Sequence, residues 1–401
     1  MSRTRAVALS LALVLAAAAP ASAALLAGID VLERSDFELL RGKRVGVITN
    51  HTGADYAGRS TVDLLFASKK LTLAAIFSPE HGFRGDHRDG DPVGDIKDPA
   101  TGLPVYSLYG KTRRPTTEML KGIDVLVFDI QDVGTRAYTY LSTMGMCMEE
   151  AARHGLEFVV LDRPNPLGGE ALEGPVLEAP FDFTGYFPVP VRHGMTPGEM
   201  ARLHADVKGL KLRLSVVPLQ GWTRATLYDE TAYPWINPSP NIRGLDAALL
   251  YPGFVSFESS PYSVGRGTDS PFLWFGAPDL DAAALVRTLN AAGLPGARFT
   301  VEHRTPASDA HAGKACRGVR VDVVDRKKIR SLDILVHAVS ALRRSRAAAP
   351  AWAGVDAAAA GTVRNIYRAV LESSEPPRDI LAGYEASWRA FDASRAKYLL
   401  Y

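Results

Sequence analysis

Cysteine is scarce in this chain of 401 residues: it has two, Cys147 and Cys316, far apart and outside any Cys or His spacing that a zinc site uses. Two cysteines cannot form a disulfide scaffold, so a packed core must hold the fold, and both read as small buried thiols within it. An excess of charge is lacking as well. Lys and Arg number 46 against 44 Asp and Glu. Two of the cations, Arg3 and Arg5, lie in an N-terminal leader, so the remaining chain is balanced and has no electrostatic claim on nucleic acid. Beyond the leader, no uncharged apolar run approaches the roughly 20 residues of a membrane-spanning helix. Three sequence signatures are also missing. There is no G-x-G-x-x-G after the first strand, where Asn50-His51-Thr52-Gly53 stands, so no dinucleotide cofactor is expected. There is no phosphate-binding G-x-x-x-x-G-K-[ST] and no G-x-S-x-G nucleophile elbow.

What is present reads as a globular, exported protein. A hydrophobic content of 47% is too high for a disordered chain, and the length allows two or three domains. Residues 1–23 have the form of a secretory signal peptide: basic Arg3 and Arg5, an apolar stretch from Ala6 to Ala19, and the small-residue cleavage site Ala21-Ser22-Ala23. The expectation is a periplasmic or secreted protein with no membrane association once the leader is removed.

The first half alternates short apolar runs with helical stretches, the pattern of an α/β fold with a parallel sheet. Strands are expected at 44–49, 73–77, 124–128 and 158–161, with a further one at 212–217. The first four are nearly continuous in apolar residues, as strands covered on both faces are. Helices are expected around 60–69, 116–121 and 139–154, the last ended by Arg153-His154-Gly155. Another starts at Thr196, where Thr196-Pro197-Gly198-Glu199 forms a capping box and accounts for Glu199. From Trp222 to Trp274 the chain reads as irregular. A smaller α+β block follows, with strands near 299–303 and 318–324, helices near 281–292, 331–343 and 363–372, and a C-terminal helix over about 384–400. Alanine-rich Ala347–Ala360 reads as a connector. The expected division is a catalytic domain over 24–236 and a second domain over 237–401.

In open α/β sheets, ligands bind outside the carboxyl ends of the strands. Here all four of the first strand ends run into polar residues: Asn50, His51 and Thr52; the loop from Ser78 to Gly85 with Glu80, His81 and Arg84; Asp129, Gln131, Asp132 and Arg136; and Asp162, Arg163 and Asn165. Among these Glu80 stands out. A carboxyl just past a buried strand and beside Phe77 and Phe83 has its neutral form favoured by desolvation, and a proton-donating carboxyl is what cleavage of a glycosidic bond needs. The loop continues through Asp86, His87, Asp89, Asp91 and Asp95, a density of acids that also suits a divalent metal, although it fits neither the calcium-loop nor the H-E-x-x-H pattern. No metal ligands are assigned. The second half adds Asn241, Glu258 and Gly265-Arg266-Gly267, in which the glycines free the backbone around a guanidinium suited to an anionic group. Trp222, Trp235, Tyr262 and Trp274 are candidates for stacking on a sugar, or for the core.

Taken in order, Asn50-His51-Thr52-Gly53, Ser78 to Gly85, Asp129 to Arg136, Asp162 to Asn165, Pro238-Ser239-Pro240-Asn241, Gly265 to Thr268 and the ending Arg395 to Tyr401 resemble the exo-β-N-acetylmuramidase family typified by NamZ and YbbC. That family is glycoside hydrolase family 171, formerly domain of unknown function 1343. The resemblance covers nearly all of the chain after the leader. It implies a Rossmann-like domain, a smaller C-terminal domain and a cleft between them. The implied activity is release of N-acetylmuramic acid from non-reducing ends of peptidoglycan fragments, with a saccharide or muropeptide as the partner and no cofactor. The alternatives are a non-catalytic exported muropeptide-binding protein and a metal-dependent hydrolase. The resemblance makes Glu80 the leading acid, tuned by His81. Asp129 or Asp132 would orient the 2-acetamido group, or Glu258 would act from the facing domain as nucleophile or base. Arg136 and Arg266 are candidates for the lactyl carboxylate of muramic acid, and Asn50, Arg84, Asp162, Asn165 and Asn241 for further substrate contacts. Two departures from the family pattern are Glu258-Ser259-Ser260-Pro261 in place of Glu-Gly-Thr-Asn, and His51 in place of Gln.

Overall fold

A computed structural model describes residues 25–84, 96–179, 181–344 and 364–401. The expected leader, most of the acidic loop after Arg84 and the segment Ala347–Ala360 lie outside the described residues.

The apolar runs form the middle of a seven-stranded sheet in the order β3-β4-β2-β1-β5-β6-β7. Its strands are β1 (Arg44–Thr49), β2 (Thr72–Ser78), β3 (Ile96–Lys97), β4 (Pro104–Ser107), β5 (Val125–Asp129), β6 (Glu157–Leu161) and β7 (Arg213–Val217). All neighbours run parallel except the short edge strand β3, which is antiparallel to β4. Both faces are covered, which explains why the runs do not alternate with polar residues. Val45, Val47, Val125, Val127 and Val159 join one core with Ile29 and Leu32 of α1 (Gly28–Arg34) and Val62 and Leu65 of α2 (Thr61–Ala67). Ile48, Leu126, Phe128, Phe158 and Val160 face the other way, toward α3 (Thr139–His154) and α4 (Pro197–Val207). Helix α3 ends as its sequence dictates, with Gly155 at φ 66° after Arg153 and His154. Helix α4 carries the full capping box: the Thr196 hydroxyl accepts from the Glu199 N–H, and Glu199 accepts from the Thr196 N–H.

Three expectations are corrected. The segment 116–121 is a run of turns, not a helix. The stretch between Trp222 and Trp274 is not wholly irregular: it contains α5 (Leu245–Phe254), nine of whose ten residues are buried, and a short 3-10 turn over Val255–Ser259. A helix hydrophobic on all sides shows no amphipathic period, so the pattern search misses it. The long C-terminal helix, α9 (Pro377–Arg395), starts earlier than expected, behind Pro376.

The second unit is a three-stranded antiparallel sheet in the order β8-β10-β9, from β8 (Trp274–Ala277), β9 (Ala297–Arg304) and β10 (Cys316–Val323). Helices α5, α6 (Ala282–Ala291), α7 (Ser331–Arg344), α8 (Arg364–Glu372) and α9 pack around it. Its core is continuous with the α3 side of the large sheet. Cys147 in α3 and Cys316 in β10 are both buried and unpaired with each other. The final residues cross back to the first unit. The Tyr401 hydroxyl donates to Asp162 at 2.7 Å and accepts from the Leu219 N–H at 2.8 Å, the Leu400 N–H donates to Glu199 at 2.9 Å, and Arg395 donates to the carbonyls of His193 and Gly194. Among the described residues, no helix is long and apolar enough to cross a membrane.

Candidate active site

The turn that leaves β2 is set by its own sequence. Pro79 follows the fully buried Ser78, and His81 and Gly82 then both take positive φ, 70° and 75°. Gly82 bears this without strain and histidine does not, and such positions concentrate at functional sites. His81 is held there, buried, with its ring edge-on to Tyr140. The reversal leaves Glu80 in the wall of a cavity of about 230 Å³.

Two stretches of chain complete that wall. The start of α3, reached from the carboxyl end of β5, supplies Tyr138, Thr139 and Tyr140, and the facing unit supplies Ser239, Tyr251, Glu258, Arg266 and Phe272. Tyr109, Arg113 and Phe183 close one side. Among the described residues, Glu80 and Glu258 are the carboxylates that line the cavity. They come from different units of the fold and are held differently. Glu80 accepts a hydrogen bond from the Thr139 hydroxyl at 2.7 Å and another from Tyr109, whose phenol is pushed up to about 12, first by burial and then by the Glu80 charge. Both of these partners are hydroxyls. Glu258, on the 3-10 turn, accepts from Arg266, with Nε and Nη2 both 2.7 Å from Oε1. Burial lowers the Arg266 pKa, opposed by the charges of Asp309 and Glu80. Arg266 is thus the cation that both lining carboxylates share.

Of the residues expected at the site, Glu80, His81, Glu258 and Arg266 meet in this cavity; the others do not line it. Asp129 is fully buried and receives the Arg163 guanidinium together with the Thr61 hydroxyl, which makes it part of the frame. Asp162 binds the Thr196 and Tyr401 hydroxyls and the N–H of Gly198, at the head of α4. Asn165 braces two loops through the Leu167 N–H and the Met195 carbonyl. Asn50 folds back on Thr52. Arg136 is buried and donates to the carbonyls of Pro175 and Val189, and Arg84 pairs with Asp98 at 3.0 Å. Asn241 lies half-buried outside the lining. Asp162, Asn165, Asn50 and Arg136 bond backbone groups of neighbouring loops, whereas Asp129 and Arg84 pair with side chains. The tryptophans are likewise packing residues: Trp222 sits against Tyr401, Trp235 against Tyr228, and Trp274 is fully buried. At the departures from the family pattern, His51 meets the Asn237 carbonyl at 2.8 Å, and the Pro261 carbonyl meets His311 at 2.7 Å.

Asp132 is also buried, beside an equally buried His193 whose Nε2 is 3.9 Å from Oδ2. Burial pushes Asp132 up to about 7, with the N–H groups of Gly134 and Val133 opposing, and pushes His193 down to about 3. His193 is therefore neutral, and Asp132 keeps its proton far above the usual carboxylate range, losing it only near pH 7. A carboxyl whose folded pKa exceeds its unfolded value favours the folded state at low pH, and that contribution disappears as pH rises through the folded pKa. Asp132→Asn removes this titration while keeping an acceptor for Gly134. The variant is therefore expected to gain stability relative to wild type as pH climbs from about 4 to 7, by a few kcal/mol at most. Denaturant midpoints of both proteins across that range check it; a constant difference would refute it.

Residues that the sequence does not single out are Arg113 and the aromatic and hydroxyl members of the wall, Tyr109, Tyr138, Thr139, Tyr140, Phe183 and Tyr251. Their only linear signal is that Tyr138, Thr139 and Tyr140 open the helix after β5, where an α/β sheet presents its ligand site.

The chain matches the family model for the N-terminal domain of exo-β-N-acetylmuramidase NamZ over residues 45–246, and that for the C-terminal domain over 249–401. It is 40% identical over 375 residues to the peptidoglycan β-N-acetylmuramidase NamZ of Bacillus subtilis, an alignment that covers 93% of this chain and 91% of that protein. Two crystal structures of DUF1343 family proteins from Bacteroides fragilis share the fold. One superposes with a TM-score of 0.85 at 38% identity and the other with 0.73 at 30%, each over 94% of this chain and 99% of its own. With both domain models matched in order and a relative of this identity along nearly its whole length, the chain belongs to the NamZ family of exo-β-N-acetylmuramidases.

Proposed function

We propose that the protein is an exported exo-acting glycoside hydrolase that releases N-acetylmuramic acid from the non-reducing ends of peptidoglycan fragments. Family membership supports the reaction, and the signal-like residues 1–23 support export. The observation that carries the chemistry is the cavity lined by two carboxyls, one from each unit. Glu80, oriented by Thr139 and Tyr109, hands its proton to the departing oxygen. Glu258, from the second unit, supplies the second carboxyl that glycosidases use, either toward water or toward the anomeric carbon. Arg266 moderates the repulsion between the two. A cavity of about 230 Å³ lies below the usual range for drug-sized ligands and suits one terminal sugar rather than the middle of a strand, in keeping with exo cleavage.

The test is incubation of the protein with a chromogenic β-N-acetylmuramic acid glycoside and with its N-acetylglucosamine counterpart. Release of chromophore from the first is expected, with little from the second. Saturable binding without product would instead support the muropeptide-binding alternative.

A further inference from the structure

We infer that Arg113 selects muramic acid by receiving the carboxylate of its 3-O-lactyl group, an inference that rests on the muramidase reading above. N-Acetylmuramic acid differs from N-acetylglucosamine by that anionic ether, so discrimination requires a cation at the rim of the sugar site. The two arginines that the sequence offers for the task are otherwise engaged. Arg136 is buried outside the cavity, where its Nη1 donates to two backbone carbonyls. Arg266 lines the cavity but places two of its nitrogens on Glu258.

Arg113 lines the same cavity and is exposed. Its Cζ lies 4.1 Å from the centre of the Phe183 ring and 5.6 Å from that of Tyr109. No carboxylate among the described residues pairs with it. A guanidinium held by its face on aromatic rings keeps its N–H edge available, and that planar edge is the match for a carboxylate. Its position also suits the substrate. The Tyr109 ring that supports Arg113 carries the hydroxyl bonded to Glu80, so the guanidinium and the proposed acid flank the same phenol. The charges agree too. With Glu80 protonated, as an acid must be, the lining charges are Glu258, Arg266 and Arg113, a net single positive charge that one anionic sugar neutralises.

The lactyl group is remote from the bond that breaks, so its contact should be equally strong in the bound substrate and the transition state. Losing it should raise KM and spare kcat. The experiment compares a chromogenic β-N-acetylmuramic acid glycoside with the methyl ester of the same glycoside, in wild type and in Arg113→Gln. Wild type is expected to favour the free acid. In Arg113→Gln, KM for the acid should rise about 10- to 100-fold, kcat should stay within a few-fold, and the ester should be nearly unaffected, so that the preference collapses. Equal losses on acid and ester, no loss on the acid, or a wild type indifferent to esterification would each overturn the assignment. A wild type inactive on both substrates would overturn the muramidase reading itself, and the assignment with it.

Discussion

Glu80→Gln is expected to lower kcat on an N-acetylmuramic acid β-glycoside by about 10²- to 10⁴-fold, the usual contribution of a positioned general acid. The substitution keeps the shape of the side chain and leaves Thr139 and Tyr109 an oxygen to donate to, so the melting temperature should hardly move. What disappears is the transferable proton. The size of the loss should therefore depend on the leaving group: small for a nitrophenol, which departs as an anion unaided, and large for a sugar alcohol. Turnover of both substrate types by both proteins measures this. Near wild-type turnover of the sugar-alcohol substrate would remove Glu80 from the mechanism. An equal loss on both would point to a defect in binding or folding.

The second large effect concerns stability. Asp129 and Arg163 form an ion pair with both side chains almost completely shielded from water, and Arg163 also donates to the Ala54 carbonyl at 2.8 Å. Burial lowers an arginine's pKa, yet Arg163 stays above its ordinary value because the Asp129 charge and hydrogen bond outweigh burial. Asp129→Ala therefore strands a charged guanidinium in the interior, and the expected cost is about 3–5 kcal/mol. Chemical denaturation of the variant measures it. If the cost comes from the stranded charge, a double variant with Asp129→Leu and Arg163→Met should recover much of the stability. A single variant within about 0.5 kcal/mol of wild type would mean that the pair contributes nothing.

How far the molecule is legible from its sequence depends on the kind of signal each part carries. The strands of the parallel sheet are visible because both faces are buried, which forces uninterrupted Val, Ile, Leu and Phe. The capping box at Thr196 and the glycine stop at Gly155 fix two helices almost to the residue. Helix α5 is not visible: a segment such as Leu245–Phe254, apolar on every side, has no period to find. The site divides along similar lines. Glu80, His81, Glu258 and Arg266 stand out as charged groups in turns, and the structure gathers them in one cavity. Asp129, Asp132 and Asp162 carry the same signal but lie outside the cavity lining, since a polar residue at a strand end serves a ligand or the backbone around it equally well. The phenols and the threonine that hold Glu80 resemble core residues in the sequence, and only the arrival of α3 beside the turn after β2 shows what they do.

The return of the last residues to the first sheet bears on how the two walls of the cleft can move. With Tyr401 bonded to Asp162 and Leu219, and Arg395 to His193 and Gly194, the polypeptide is fastened at both ends of its second unit, once through the covalent link and once through this clasp. A unit tied at two points swings less freely than one joined by a single linker. An attempt to produce either half by itself would yield a fragment missing a closure that the other half provides.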